Sequence, residues 1–223
     1  MKRTKYHRTY HLPWSHPHKD DKAFSSLQHF EGKEVVVLEK LDGENSTVYS
    51  DGYLHARSLD SAHNMTRDWI KRLASIIRFD IPKGWRFVFE NVNYFHSINY
   101  NELEGFAYLL SIWDENNTRI GYDDMMEYAE ILDLPTPALL YRGVWDETRI
   151  RHIAETMDLS KHEGYVVTLT EPVPEDEITT SIAKFVRKNH CQPNKDGIVK
   201  HWLENTYPNN LKSAKNVKPH YMA

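Results

Sequence analysis

At 223 residues, with 40% hydrophobic and 12% aromatic side chains, the chain is long enough for one substantial domain with a filled core. A net charge of −4 argues against attachment to nucleic acid by bulk charge, while local basic patches stay open because steering depends on where charges sit. The longest apolar runs, 35–38 and 108–110, are too short to cross a bilayer, so no membrane partner is expected. Met1-Lys2-Arg3 leads into His, Tyr, Pro and Trp rather than an apolar stretch, and the one cysteine, Cys191, excludes an internal disulfide framework. Both features predict a cytoplasmic protein.

Residues 1–30 form a basic and aromatic segment. Within it, 5–15 interleaves Lys5, Arg8 and His11 with Tyr6, Tyr10 and Trp14. That mixture suits single-stranded nucleic acid, and it equally suits a segment that packs Trp14 on the domain behind it. Its histidines are irregularly spaced with no cysteine nearby, which argues against structural zinc. Residues 33–39 read as a buried strand, and 46–50 with 53–57 as a hairpin about Asp51-Gly52. Met65, Trp69, Ile70, Leu73, Ile76 and Ile77 recur at helical spacing, with Asn64 as N-cap and Pro82 beyond the end. Segments 86–92 and 106–113 read as strands, 122–132 and 147–157 as helices, and 138–141 as a short strand between those helices. The last strands are 164–169 and 182–186. No repeat or linker divides 31–190, which reads as one mixed α+β domain; a short tail, 191–223, follows, basic at Lys212, Lys215 and Lys218.

The stretch that carries chemistry is Glu39-Lys40-Leu41-Asp42-Gly43-Glu44-Asn45, directly after the first buried strand. A lysine at a strand end, followed by a Gly turn, is placed to act as an amine nucleophile once positive charge or desolvation lowers its pKa. A Lys-x-Asp-Gly run alone is a common turn with a solvated lysine, so the partners downstream decide. They are Arg57-Ser58, Phe87-Val88-Phe89-Glu90, Ile112-Trp113-Asp114, Glu163-Gly164-Tyr165-Val166-Val167 and Ala183-Lys184-Phe185-Val186-Arg187-Lys188.

In this order the stretches resemble the motifs of the covalent nucleotidyltransferase superfamily, which holds polynucleotide ligases and mRNA capping enzymes. The likeness is greatest to small ATP-dependent RNA ligases of phage and bacterial type, and it spans 39–188. It implies a ligase-type adenylation domain with antiparallel sheets flanked by helices. Such a domain moves AMP from ATP to a lysine, passes it to a 5′-phosphate, and seals that end to a 3′-hydroxyl, using Mg²⁺ or Mn²⁺. RNA is the implied partner, as single strands, a nicked duplex or an RNA/DNA hybrid, with a kinase or phosphatase as a compatible end-processing partner. Asn45 favours an RNA ligase, because DNA ligases and capping enzymes usually carry arginine there. Asp42-Gly43 departs from the His-Gly of the phage-type subgroup. The stretch after Lys188 is about half of what a five-stranded barrel requires, so no OB-fold domain is expected.

Carried over residue by residue, the resemblance implies that Lys40 is the nucleophile and forms a lysine–AMP adduct. Lys184 would neutralise phosphate charge and lower the pKa of Lys40 as a neighbouring ammonium. Glu163 would hold the metal, and Glu90 would accept ribose hydroxyls or serve the metal through water. Arg57 would clamp a phosphate or the ribose. Trp113 would stack on adenine, with Glu39, Leu41 and Asn45 completing the nucleotide site. The second base of the last motif is Lys188, on the face of Lys184 by strand alternation, or Arg187. The rivals are a DNA-nick ligase, a capping-type enzyme, or a degenerate module that holds nucleotide or RNA without sealing. Retention of Lys40, Glu163 and Lys184 together argues against the last.

Overall fold

Val35, Val36, Val37 and Leu38 stand in a row, a composition that favours extended backbone buried on both faces. In the computed structural model, which describes residues 2–18, 20–59, 65–94, 96–100 and 103–188, this run is a central strand. The elements in chain order are β1 (Tyr10–His11), β2 (Glu34–Lys40), β3 (Glu44–Tyr49), β4 (Leu54–Ala56), α1 (Asp68–Ile77), β5 (Arg86–Asn91), β6 (Ala107–Trp113) and β7 (Thr118–Arg119). They continue with α2 (Tyr122–Ile131), β8 (Leu139–Val144), α3 (Glu147–Thr156), β9 (Gly164–Leu169), β10 (Val173–Pro174) and β11 (Ile182–Val186).

Two sheets result, the first ordered β1-β11-β9-β2-β8 and the second β10-β7-β6-β5-β3-β4. β1 runs parallel to β11, and the other pairings are antiparallel. Alternation along β2 divides the core. Val36 and Leu38 join Ile70, Leu73 and Ile77 of α1, Met125 of α2, and Phe87, Phe89 and Leu109. Val35 and Val37 join Leu12, Phe30, Ile150 of α3 and Tyr165. Burying each of these large side chains contributes about 1.5–3 kcal/mol, so both faces of β2 hold Lys40 at a rigid strand end.

The helix expected from residue 65 opens with a short 3-10 turn, Met65–Arg67, and becomes α-helical at Asp68, whose acid suits the first turn. The short strand expected at 138–141 is the longer β8, held by its ladder to β2 although Leu139, Leu140 and Val144 are exposed. Asp146 caps α3 by accepting from Arg149 N at 3.0 Å. Strands β1, β7 and β10 were not expected; at two residues each they carry no periodicity to read. Among the described residues no helix is long and apolar enough to cross a membrane. Asn64, Cys191, the basic positions 212, 215 and 218, and the tail expected from 191 onward lie outside the described residues.

Candidate active site

A cleft of about 600 Å³ lies between the two sheets. The first sheet presents alternate residues to it: Leu38 and Lys40 of β2, Val166 and Thr168 of β9, Lys184 and Val186 of β11. Register makes this one surface, since Val166 pairs with Leu38 on one side and Lys184 on the other. The second sheet contributes Asn45 of β3, Glu90 of β5, Ser111 of β6 and Arg119 of β7, with Arg57 just past β4. Asn45 and Glu90 are direct cross-strand partners.

Two glycines allow close backbone approach within each sheet. A Cβ on Gly164 would fall 2.0 Å from Phe185 O, and one on Gly43 would fall 2.5 Å from Asn91 O. Gly164 directly follows Glu163 and Gly43 lies three residues after Lys40, so the backbone near both groups packs where a side chain would not fit.

Lys40 Nζ donates to Glu163 Oε2 at 2.6 Å, and Glu163 is buried. Burial alone pushes the Lys40 ammonium down, but Glu163, Glu90 and Asp42 outweigh it and hold the group above the ordinary lysine range. The expectation that Lys184 keeps Lys40 neutral is therefore reversed: in this state the carboxylates set its charge, and it is an ion-paired ammonium. Burial raises the Glu163 carboxyl, and Asp42 adds to that against the pull of Lys40. Glu90 is pushed up to about 7, by burial first and by Glu163 and Asp42, against Lys40 and the Gly43 N–H it accepts at 3.1 Å. Lys184 is lowered by burial, with Lys40 and Arg57 adding to the effect; Asp21, 4.0 Å away, opposes it.

The Asn45 amide is buried with neither its oxygen nor its nitrogen partnered. Leaving such a group unsatisfied costs about 1–3 kcal/mol, which a ligand in the cleft would recover. Glu39 lines the cleft and places its carboxylate 2.7 Å from His162 Nδ1, and Leu41 lines it too. Asp42, by contrast, is spent on the neighbouring loop, accepting from Ser97 N (2.7 Å), Ser97 Oγ (2.6 Å) and Ile98 N (3.0 Å).

Three expected residues lie elsewhere. Trp113 is 2% exposed, donates through Nε1 to Ser111 Oγ at 3.1 Å, and is covered by Arg86 and the ring of His7 rather than lining the cleft. Arg187 donates to Leu159 O at 2.9 Å and Ser97 Oγ at 3.2 Å, which ties it to loops. Lys188 is exposed. β11 ends at Val186, so the alternation that put Lys188 beside Lys184 does not continue that far.

Sequence reasoning missed Arg119, whose guanidinium donates to Thr168 Oγ1, Leu169 O (2.7 Å) and Glu171 O (2.8 Å) while lining the cleft. Its signal was a two-residue strand, too short to orient. It also missed that Tyr6 and His7 turn inward to the cleft, and that Arg67 clamps Glu44 bidentately at 2.6 and 2.5 Å.

The sequence profile of RNA ligases matches residues 33–186. No curated protein matches the chain. Among solved structures, the fold is similar to a candidate ATP-dependent DNA ligase from Aquifex aeolicus, with TM-score 0.53 and 18% identity over 72% of this chain and 45% of that one. An archaeal ATP-dependent RNA ligase matches with TM-score 0.53 and 14% identity over 73% of this chain and 44% of that one. A Naegleria gruberi RNA ligase variant with ATP and manganese matches with TM-score 0.50 and 14% identity over 72% and 51%. The chain thus spans about half the length of these structures. They share its mixed α+β architecture of antiparallel sheets with few helices.

Proposed function

The chain belongs to the RNA ligase family, and from that premise we propose that it is an ATP-dependent RNA ligase whose Lys40 takes AMP from ATP. The observation that carries this reading is the convergence of Lys40, Glu163, Lys184 and the unpartnered Asn45 amide on one cleft.

The chemistry follows from the contacts. Glu163 Oε2, 2.6 Å away, takes a proton from the Lys40 ammonium, and the freed amine attacks the α-phosphorus. A P–N bond forms as the bond to pyrophosphate breaks, and the second Nζ proton leaves with the pyrophosphate. A carboxylate already raised by burial is a better base for this than an exposed one. Lys184, on the same wall, faces the charge that builds on the phosphate oxygens. A 5′-phosphate oxygen then attacks the adenylate and the P–N bond breaks, leaving a phosphoanhydride. A 3′-hydroxyl displaces AMP from it to join the strands. Positioning and electrostatics supply most of the rate.

Magnesium or manganese, when bound, supplies further neutralisation at the α-phosphate, and Glu163 and Glu90 would hold it. Glu163 and Asp42 both push the Glu90 carboxyl up and Asp42 pushes up that of Glu163, a crowding that a cation relieves. One or two carboxylates plus phosphate oxygens is also the usual magnesium donor set. The structure of the Naegleria gruberi RNA ligase variant with ATP and manganese supports the same choice. RNA with a 5′-phosphate is the proposed partner, which calls for a kinase or phosphatase reaction where ends arrive otherwise.

The test is joining of labelled 5′-phosphate RNA, as single strands and as RNA or DNA nicks in duplex, by the full chain with ATP and Mg²⁺. RNA joining that Lys40→Ala abolishes is expected. Joining of DNA nicks alone would replace this reading by a DNA-nick ligase. No joining on any substrate would favour a binding module.

A further inference from the structure

Residues 3–11 cross from one sheet to the other. At one end Tyr10–His11 pairs with β11 of the first sheet. At the other, Thr4 N donates to Tyr49 Oη at 2.9 Å, and Arg3 reaches Asp51 at 2.5 Å and lies over the Tyr49 and Tyr53 rings of the second. The middle of this strap, Tyr6 and His7, therefore sits in the cleft with both flanks fixed.

His7 packs its ring against Tyr6 (centroids 4.2 Å apart) and Trp113 (6.0 Å). Its Nε2 is buried with no partner, and so is Nε of Arg119, whose terminal nitrogens are both engaged across the cleft, by Thr168 and Leu169 of β9 and by Glu171 just past it. Two polar atoms left without a partner, on side chains that both line one cleft, are costly unless a ligand meets them. Burial, helped by Arg119, Arg57 and Arg86, lowers His7 to about 3, so its imidazole is neutral at physiological pH and offers one accepting nitrogen. Arg119 Nε can only donate. The remaining wall here is apolar, with Leu38, Leu110, Pro137, Val166 and Ile182. Apolar lining with one acceptor and one donor among it suits the edge of a purine better than a phosphate chain.

We propose that His7 and Arg119 read the edge of the donor nucleotide's base, His7 Nε2 accepting from the exocyclic amine of adenine and Arg119 Nε donating to a ring nitrogen. Guanine presents a carbonyl where adenine presents the amine, so the same pose rejects it. The proposal rests on the nucleotidyl reading of the cleft and gives the N-terminal strap a part in choosing ATP.

The test uses equilibrium titration of the full chain with AMP and with purine riboside 5′-monophosphate, which lacks the exocyclic amine and undergoes no transfer. Wild type should prefer AMP about tenfold. His7→Phe, which keeps a ring on Trp113 without the nitrogen, should bind both ligands within about twofold of each other. His7→Gln, which restores an acceptor, should recover most of the preference and covers the case in which the Phe variant does not fold. An undiminished preference in His7→Phe, or none in wild type, overturns the proposal. Labelling of Lys40 by ATP is read separately: labelling without an amine preference sinks this inference alone, and an amine preference without labelling sinks the ligase reading alone.

Discussion

The two walls of the cleft are built alike, as antiparallel strands with alternate residues turned inward, yet they differ in how their polar groups are satisfied. On the first sheet the charges are matched within the chain: Lys40 with Glu163, Lys184 near Asp21, and Asp21 with His11. On the second sheet and the strap beside it, Asn45, Arg119 and His7 each leave a buried polar atom without a partner. The paired wall holds reactive groups at fixed distance before substrate arrives. The second wall has pairs of its own, such as Arg67 with Glu44, but it also keeps polar atoms without a partner that a nucleotide can satisfy. Under the proposed function, the adenylated lysine and its proton acceptor fall on the first sheet and much of the nucleotide recognition on the second.

Substitutions on the two walls should therefore fail differently. The largest effect is expected on the paired wall. Glu163→Gln removes the proton acceptor of Lys40 and should slow lysine adenylation by about 10²–10³-fold with little change in half-saturating ATP. A change confined to ATP affinity would assign Glu163 to binding and break the division. Next, Asn45→Ala on the unpaired wall should raise half-saturating ATP about tenfold while leaving the ligand-free protein as stable or about 1 kcal/mol more stable, since an unsatisfied amide is removed. Loss of stability with unchanged ATP affinity would show that the amide serves the fold. The smallest effect concerns Glu90, whose raised pKa makes the folded chain hold a proton that the unfolded chain releases between about pH 4.5 and 7. Its contribution is present below that window and is lost as pH rises through it. Glu90→Gln, which keeps a carbonyl for the Gly43 N–H, should flatten the fall in stability over the window by on the order of 1–3 kcal/mol. Parallel melting curves at about pH 5 and pH 7.5 for wild type and variant would show instead that Glu90 titrates normally.

The paired wall was the more legible from sequence, for a local reason. Lys40, Glu163 and Lys184 each sit in or beside a strand whose alternation or flanking glycine is contiguous in the chain, so a few residues suffice to aim them. The unpaired wall depends on contacts distant in sequence. Trp113 has the parity of Ser111, which lines the cleft, and alternation alone sends it there; the strap residue His7 covers it. Arg119 lies on a two-residue strand placed by β6 and β10, and Tyr6 with His7 are aimed by anchors at Tyr49 and β11. The second base of the last motif escaped for another reason: where a strand stops is set by its partner, and β9 pairs with β11 no further than Val186. The fold class, by contrast, needed only the succession of apolar runs and turns.

The central claim is that Lys40 is the group adenylated. Incubating the full chain with α-labelled ATP and Mg²⁺, denaturing it, and mapping the labelled peptide tests this most directly. The account predicts label on the peptide that contains Lys40, and none on Lys40→Ala. Label that persists in Lys40→Ala, or wild type that takes up none, would contradict it.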